Sequence, residues 1–268
     1  IFGNWGFPEM GARGAAVATL VVQVVSLVFL ALYAGLLPDL RRFHLFQRFW
    51  RPDWHAMGQV WRLGVPIGLT GLAEGGLFQA SALMMGWIGT VQLAAHGIAL
   101  EVAALAFMLH VGLSSSATIR IARFDGAGNR VALRQAAKVS VAISFGVALF
   151  SVALFLAFGR PIVALFLDMS KPESAEILDY GVVLLGLAAL FQLADGMQVM
   201  ALGLLRGVKD TKVPLGLAAV SYWLIGIPCG YVLAFPLGFG GVGLWLGLVV
   251  GLICASASLM WRFWRLAR

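Results

Sequence analysis

The sequence predicts an all-α, polytopic membrane protein with about seven transmembrane helices, and three observations predict it. Of the 268 residues, 61% are hydrophobic and 12% are charged, where a soluble globular domain carries roughly 25% charged residues. Seven stretches are apolar over the length that a helix needs to cross a hydrocarbon core, about 20 residues. The connections between them are short and charged or rich in proline and glycine, which leaves little room for a soluble domain.

The first span, at 12–35, runs apolar up to the segment that opens with Pro38, Arg41 and Arg42. The second, at 62–88, starts at Arg62 and holds Pro66; the third, at 93–121, carries His96, Glu101 and His110 and closes on Arg120. The fourth, at 135–158, follows Arg130 and Arg134, and the fifth, at 177–205, contains Asp195 and closes on Arg206. The sixth, at 213–236, contains Pro228, and the seventh, at 240–263, ends among Arg262, Arg265 and Arg268. Pro66 and Pro228 each remove a backbone hydrogen bond and bend their helix, as a hinge or simply as shape. Gly238, Gly240, Gly241, Gly243, Gly247 and Gly251 are read as packing positions, where small residues let backbones approach closely.

Charge orients these spans. Placing the loop with Arg41, Arg42, Arg48 and Arg51 in the cytoplasm, together with Arg62, brings two further groups there. These are Arg120, Arg123, Arg130, Arg134 and Lys138, then Arg206, Lys209 and Lys212, and the tail Arg262, Arg265 and Arg268 joins them. Only Arg13, Arg160 and Lys171 fall on the other side, sixteen basic residues against three, as the positive-inside rule requires. The amino end is therefore expected outside and the carboxy end inside. The same distribution accounts for the net charge of +7 without nucleic acid, since the basic residues are spread over separate loops and lack interleaved aromatic residues.

Residues 36–61 form the longest polar connection, with Pro38 and Pro52 and with Phe43, Phe46, Phe49, Trp50 and Trp54 suited to a membrane interface. They are read as a cytoplasmic linker between two bundles. The chain starts at Ile1 and no basic stretch, apolar core and cleavage site precede the first span. It is expected to begin inside a longer protein rather than with a signal peptide. Cys229 and Cys254 lie in apolar segments without CxxC or Cys/His spacing and are read as buried small hydrophobes. His96 and His110 lack ligand-spaced partners, so they are read as satisfied or interfacial histidines, and neither a metal site nor hydrolytic chemistry is indicated. The chain is not read as an enzyme and no cofactor is expected.

Three carboxylates interrupt the spans, and a charged, unpaired acid at a helix centre costs roughly 2.5 to 3.5 kcal/mol or more. Glu74 sits mid-span with Thr70 and Gly71 about one turn before it and Phe78 and Ser81 one and two turns after. Such a face of small, polar and aromatic groups suits the wall of a wet cavity. Asp195 is equally central, with Gln192 and Gln198 three residues to either side and Phe191 one turn before. The bland alternative is that both acids are protonated packing glue between helices. No lysine or arginine lies deep enough in a span to pair with them, so each is expected to exchange a proton or bind a cation when the site opens to water. Glu101 stands closer to the outer end of its helix, and functional and structural readings of it stay equally open.

The segments Arg62-Leu63-Gly64-Val65-Pro66-Ile67-Gly68 with Glu74, Ala94-Ala95-His96-Gly97-Ile98-Ala99-Leu100 and Ser116-Ala117-Thr118-Ile119-Arg120-Ile121 resemble the multidrug and toxic compound extrusion (MATE) family in its NorM-like branch. So do Gln192-Leu193-Ala194-Asp195-Gly196-Met197-Gln198 and, most specifically, Leu205-Arg206-Gly207-Val208-Lys209-Asp210-Thr211-Lys212-Val213-Pro214. Tyr222-Trp223-Leu224-Ile225-Gly226-Ile227-Pro228-Cys229-Gly230-Tyr231 and Gly240-Gly241-Val242-Gly243-Leu244-Trp245 continue the likeness over nearly the whole chain.

The resemblance implies a twelve-helix fold in two six-helix bundles that exchanges H+ or Na+ for organic, often cationic, compounds. Residues 1–35 would then be the last helix of the amino-terminal bundle and 62–268 the entire second bundle, so the partner this chain lacks is the amino-terminal half. It also implies that Glu74 and Asp195 are the cation-site acids, for H+ or Na+, with Thr70, Phe78, Glu101, Phe191, Gln192 and Gln198 as cavity or accessory residues and Pro66 as a hinge. Phe191 departs from a pattern in which some Na+-coupled members carry a tyrosine, and it removes a hydroxyl ligand. Glu101 stands where an asparagine or glutamine is frequent, and His110 where a proline is common.

Rival readings are a non-transporting or partner-dependent fragment, a lipid-precursor flippase of related architecture and a seven-helix retinal protein. A flippase needs cationic cavity residues, whereas the interior here is acidic. Retinal needs a mid-span lysine, whereas Lys138, Lys171, Lys209 and Lys212 all lie at helix ends or in loops.

Overall fold

In a lipid core only a helix satisfies every backbone N–H and C=O within its own segment, and the apolar runs fold accordingly. The structure, a computed structural model, describes residues 10–37 and 52–268. Its helices are α1 (Gly11–Leu36), α2 (Trp54–Ile88), α3 (Thr90–Gly126), α4 (Arg130–Ala164), α5 (Ser174–Gly207), α6 (Lys212–Ala219), α7 (Ile227–Ala234) and α8 (Gly240–Leu266). A π-helical stretch, Val220–Gly226, joins α6 to α7. The linker residues 38–51, with their basic and aromatic side chains, lie outside the described residues.

Among the described residues, six segments are long and apolar enough to cross a membrane: α1 from Arg13, α3, α4, α5, the α6–α7 unit Lys212–Ala234, and α8. The chain is a multi-pass membrane protein. The seventh expected span, α2, has the length, at 35 residues, but Glu74, Gln79 and its glycines dilute its apolar character. It begins eight residues before the expected position because Asp53 caps it, its Oδ1 accepting from the backbone N–H groups of His55 and Ala56 at 3.0 Å each. The fourth helix likewise runs past its expected end: Phe158 leaves helical geometry three residues before Pro161, and the helix resumes to Ala164. Proline lacks the N–H that would hold the preceding turn, so the helix kinks rather than stops.

The sequence read 213–236 as one helix bent at Pro228, and the structure adds how the bend is made. Ile227 donates its N–H to the Tyr222 carbonyl five residues back, and Pro228 follows at the start of α7. The wider register keeps the proline ring off the carbonyl it would strike in a regular α-helix.

Two units divide the chain, 1–59 and 60–268. In the first, α1 exposes apolar side chains along its whole length. In the second, α5 is the central element and packs against α3, α4 and α8, while α8 also packs against α7 and the π stretch. Hydroxyl groups stitch α3 to α5: Ser114 Oγ donates to the Val199 carbonyl at 2.7 Å and Thr118 Oγ1 to the Gly203 carbonyl at 2.8 Å. The motif around Ser116–Ile121 thus has its packing reason in its neighbours. Gly241, Gly243, Gly247 and Gly251 are buried packing positions, whereas Gly238 and Gly240 have positive φ, 73° and 56°, and belong to the turn into α8. Cys229 and Cys254 are free and half-buried rather than fully enclosed.

The turns that follow α3 and α5 and the end of α8 meet at one end of this bundle. Arg130 pairs there with Asp125 at 3.3 Å, Arg262 with Asp210 at 2.9 Å, and Arg134 donates to the Ala267 carbonyl. At the opposite end Arg160 pairs with Asp179 at 3.1 Å.

Candidate functional site

A cavity of about 350 Å³ opens among α2, α3 and α5, at the lower end of the size that holds a drug-like ligand, roughly 300–1,000 Å³. Gly71, Glu74, Gly75 and Phe78 form the α2 wall, Leu100, Glu101, Ala103, Ala104 and Phe107 the α3 wall, and Phe191 and Asp195 the α5 wall. All three intramembrane carboxylates therefore line one space, and among the described residues no lysine or arginine lines it with them. The expectation that no cation reaches these acids holds for the wall alone, because Arg206, at the end of α5, lies close enough to interact with Glu74. The glycines of α2 make room for it, since a Cβ at Gly71 or Gly75 would meet nothing within 4 Å.

Asp195 is buried, 2% exposed. Gln198, one turn on, is fully buried and donates Nε2–H to Glu74 Oε1 at 3.2 Å, so it bridges the α5 wall to the α2 wall. Asp195 Oδ1, Gln198 Oε1, both side-chain polar atoms of Gln192 and the Tyr222 hydroxyl are buried without a hydrogen-bond partner among the described residues. Tyr222 lies close enough to interact with Glu74, Asp195 and Gln198. Such groups are normally satisfied, and a cluster rich in oxygen acceptors is suited to hold a proton or a hard cation.

Aromatic rings back the acids. Phe78 meets Phe191 edge to face at 5.9 Å between centroids, Phe191 meets Trp245 at 5.7 Å, and Trp245 meets His96 at 5.7 Å. The fully buried Trp245 donates its indole N–H to His96 Nδ1 at 3.1 Å, which fixes His96 as the neutral tautomer with its proton on Nε2. That nitrogen faces Ser81 Oγ at 3.5 Å, and Ser81 in turn donates to the Phe78 carbonyl at 2.8 Å. Replacing His96 with alanine leaves the Trp245 N–H unpaired and opens a void beside the Trp245 ring. The expected loss is about 1–3 kcal/mol of stability, to be measured by denaturation of the purified protein against His96→Gln, which keeps an acceptor.

Of the residues singled out from sequence, Glu74, Phe78, Glu101, Phe191 and Asp195 meet in the cavity, and Gln192 and Gln198 lie buried beside it. Thr70 does not line it. Its hydroxyl donates to the Pro66 carbonyl at 2.8 Å, and the residue borders a small void near Leu202, Arg206 and Pro214 instead. Pro66 sits within a helix that continues on both sides of it. His96 and His110 are both buried, not interfacial; His110 Nδ1 lies 2.9 Å from Ser144 Oγ.

Sequence reasoning passed over three aromatic residues at the site. Phe107 lines the cavity, and Tyr222 and Trp245 stand behind it. A fourth, Trp223, donates its indole N–H to the Ala73 carbonyl next to Glu74 at 3.2 Å. In the sequence they are indistinguishable from the aromatic residues that line membrane interfaces.

A family model described as MatE matches residues 66–232, a stretch that holds both Glu74 and Asp195 and spans more than half the chain. The chain belongs to the MatE family.

Among its curated relatives, the probable multidrug resistance protein NorM of Rhizobium meliloti (strain 1021) is 48% identical over 268 residues, covering 100% of this chain and 57% of that protein. The probable multidrug resistance protein NorM of Agrobacterium fabrum (strain C58 / ATCC 33970) is 47% identical over 263 residues, 98% of this chain and 57% of that protein. The chain therefore spans about 57% of the length of these relatives, corresponding to their carboxy-terminal part. The fold is that of a crystal structure of MATE in complex with MaL6, with a TM-score of 0.83 at 20% identity over 97% of this chain and 57% of that one.

Proposed function

We propose that the chain is the carboxy-terminal part of a secondary active transporter that exports organic, often cationic, compounds across a bacterial inner membrane in exchange for H+ or Na+. One observation carries this reading: Glu74 and Asp195 share an aromatic cavity with no basic residue in its wall. Arg206 acts on Glu74 from outside the cavity wall, whereas the charge that acts on Asp195 is that of Glu74. A buried acid without a cation of its own takes up a proton or a cation, and a lipophilic cation and a coupling ion then compete for the same negative charge. The names of the NorM relatives as multidrug resistance proteins support the substrate class.

In this mechanism a coupling ion entering from outside neutralises Asp195 and Glu74, and α2 bends near Pro66. The cavity then opens outward and the compound leaves. The two acids act on each other electrostatically and Gln198 bonds Glu74 across the helices, so a charge change at either acid is felt by both helices. Na+ coordination would draw on the Tyr222 hydroxyl and the glutamine oxygens rather than on a hydroxyl at 191. Helix α1 is the last helix of an amino-terminal bundle, the segment between Leu36 and Trp54 is the cytoplasmic linker, and the helices from α2 onward are the second bundle. The amino end of this chain lies outside and its carboxy end in the cytoplasm.

The direct test is reconstitution into vesicles with a fluorescent lipophilic cation under an imposed pH or Na+ gradient, on this chain and on a complete protein that includes the amino-terminal bundle. Gradient-driven movement by the complete protein is expected, and the gradient that drives it names the ion. Movement by the chain alone would mean that it assembles into a working antiporter, while movement only by the complete protein would make it a partner-dependent part. Absence of movement by both would overturn the reading.

A further inference from the structure

We propose that Glu101 is a third anionic group of the cavity and tunes it toward organic compounds that carry two positive charges. The inference rests on the cavity's being a cation site, and it concerns which cations that site prefers.

Glu74 and Asp195 stand on the α2 and α5 walls, close enough to act on each other electrostatically. Glu101 belongs to the α3 wall of the same cavity. It is exposed and has no hydrogen-bond or ion-pair partner among the described residues. A structural polar group at a helix interface is buried and bonded, as Ser114 is. Glu101 is neither, and it sits among Leu100, Ala103, Ala104 and Phe107, where a lone carboxylate has no packing reason to be.

The buried oxygen of Asp195 without a partner marks one place where positive charge settles. The aromatic faces of Phe78, Phe107 and Phe191 line the space between the walls, and such rings favour flat or alkylated cations. A compound with one charge satisfies the Asp195–Glu74 pair and leaves Glu101 to water. A compound with a second charge at its other end reaches Glu101 as well, and beside the apolar side chains of the wall that added attraction is only partly screened.

The test compares ethidium and propidium, which share a phenanthridinium chromophore and carry one and two positive charges. Their equilibrium binding to the purified complete protein is read by fluorescence for the parent protein, Glu101→Gln and Glu101→Asp. Glu101→Gln is expected to weaken propidium about tenfold relative to ethidium, the scale of one partly screened charge pair, and Glu101→Asp to restore the preference. An unchanged ratio, an equal loss for both dyes, or no dye binding by the parent protein would overturn the proposal. Because binding needs no gradient, a charge-dependent ratio in a protein that fails to move either dye would defeat the efflux reading and leave the proposal standing.

Discussion

Replacing Asp195 with asparagine in the complete protein is expected to reduce gradient-coupled efflux about 100-fold, the upper end of a coupling free energy of roughly 1–3 kcal/mol, while the protein still folds and inserts. Asparagine has nearly the shape of aspartate, so the packing around a side chain that is 2% exposed is preserved. What it cannot do is change charge. If Asp195 is where coupling ion and cationic compound exclude one another, the variant keeps the cavity and loses the exchange. Vesicle efflux under the driving gradient reads the loss, and circular dichroism with the thermal midpoint reads the fold. Undiminished efflux by a folded variant would remove Asp195 from the mechanism and leave Glu74 alone to carry it.

The largest stability effect is expected at Gly247. A Cβ there would lie 2.2 Å from Gly230 Cα, 2.3 Å from Gly230 N and 2.9 Å from the Gly226 carbonyl oxygen. All three are backbone atoms, so no side chain can turn aside, and α8 must separate from α7 and the π stretch. Gly247→Val is expected to cost at least about 3 kcal/mol, the top of the usual range for overpacking, and to lower the yield of monodisperse protein. The effect reaches the site, because α8 carries Trp245, whose indole holds His96 and backs Phe191. Gly216→Ala, where a Cβ would meet nothing within 4 Å, serves as the control. A Gly247→Val protein as stable as that control would refute the close-packed seam.

The two acids were legible in the sequence because hydrocarbon penalises charge: Glu74 and Asp195 stand out in apolar spans whatever the tertiary structure does. Their convergence was not. Gln198 and Glu74 are 124 residues apart, and helical periodicity describes one helix at a time. Thr70 shows the limit of that periodicity. It lies one turn before Glu74 on the same face, yet at its level α5 closes in with Leu202 and Arg206, so the hydroxyl turns back to Pro66. Glu101 shows the reverse, since its placement near a helix end left its role open until the structure put it on the wall facing α2 and α5.

The sequence by itself determined that the chain is helical and membrane-embedded, because apolar length and sparse charge leave lipid as the only compatible solvent. It also determined which acids required a reason, and its motifs pointed to the family. Only the tertiary structure decided that three carboxylates share one cavity, that Tyr222 and Trp245 stand behind it, and that the span around Pro228 widens into a π stretch. Those outcomes depend on which helix faces pack together. Packing is settled by close approach between residues remote in the chain, such as Gly230 against Gly247, and a one-dimensional pattern carries no record of it.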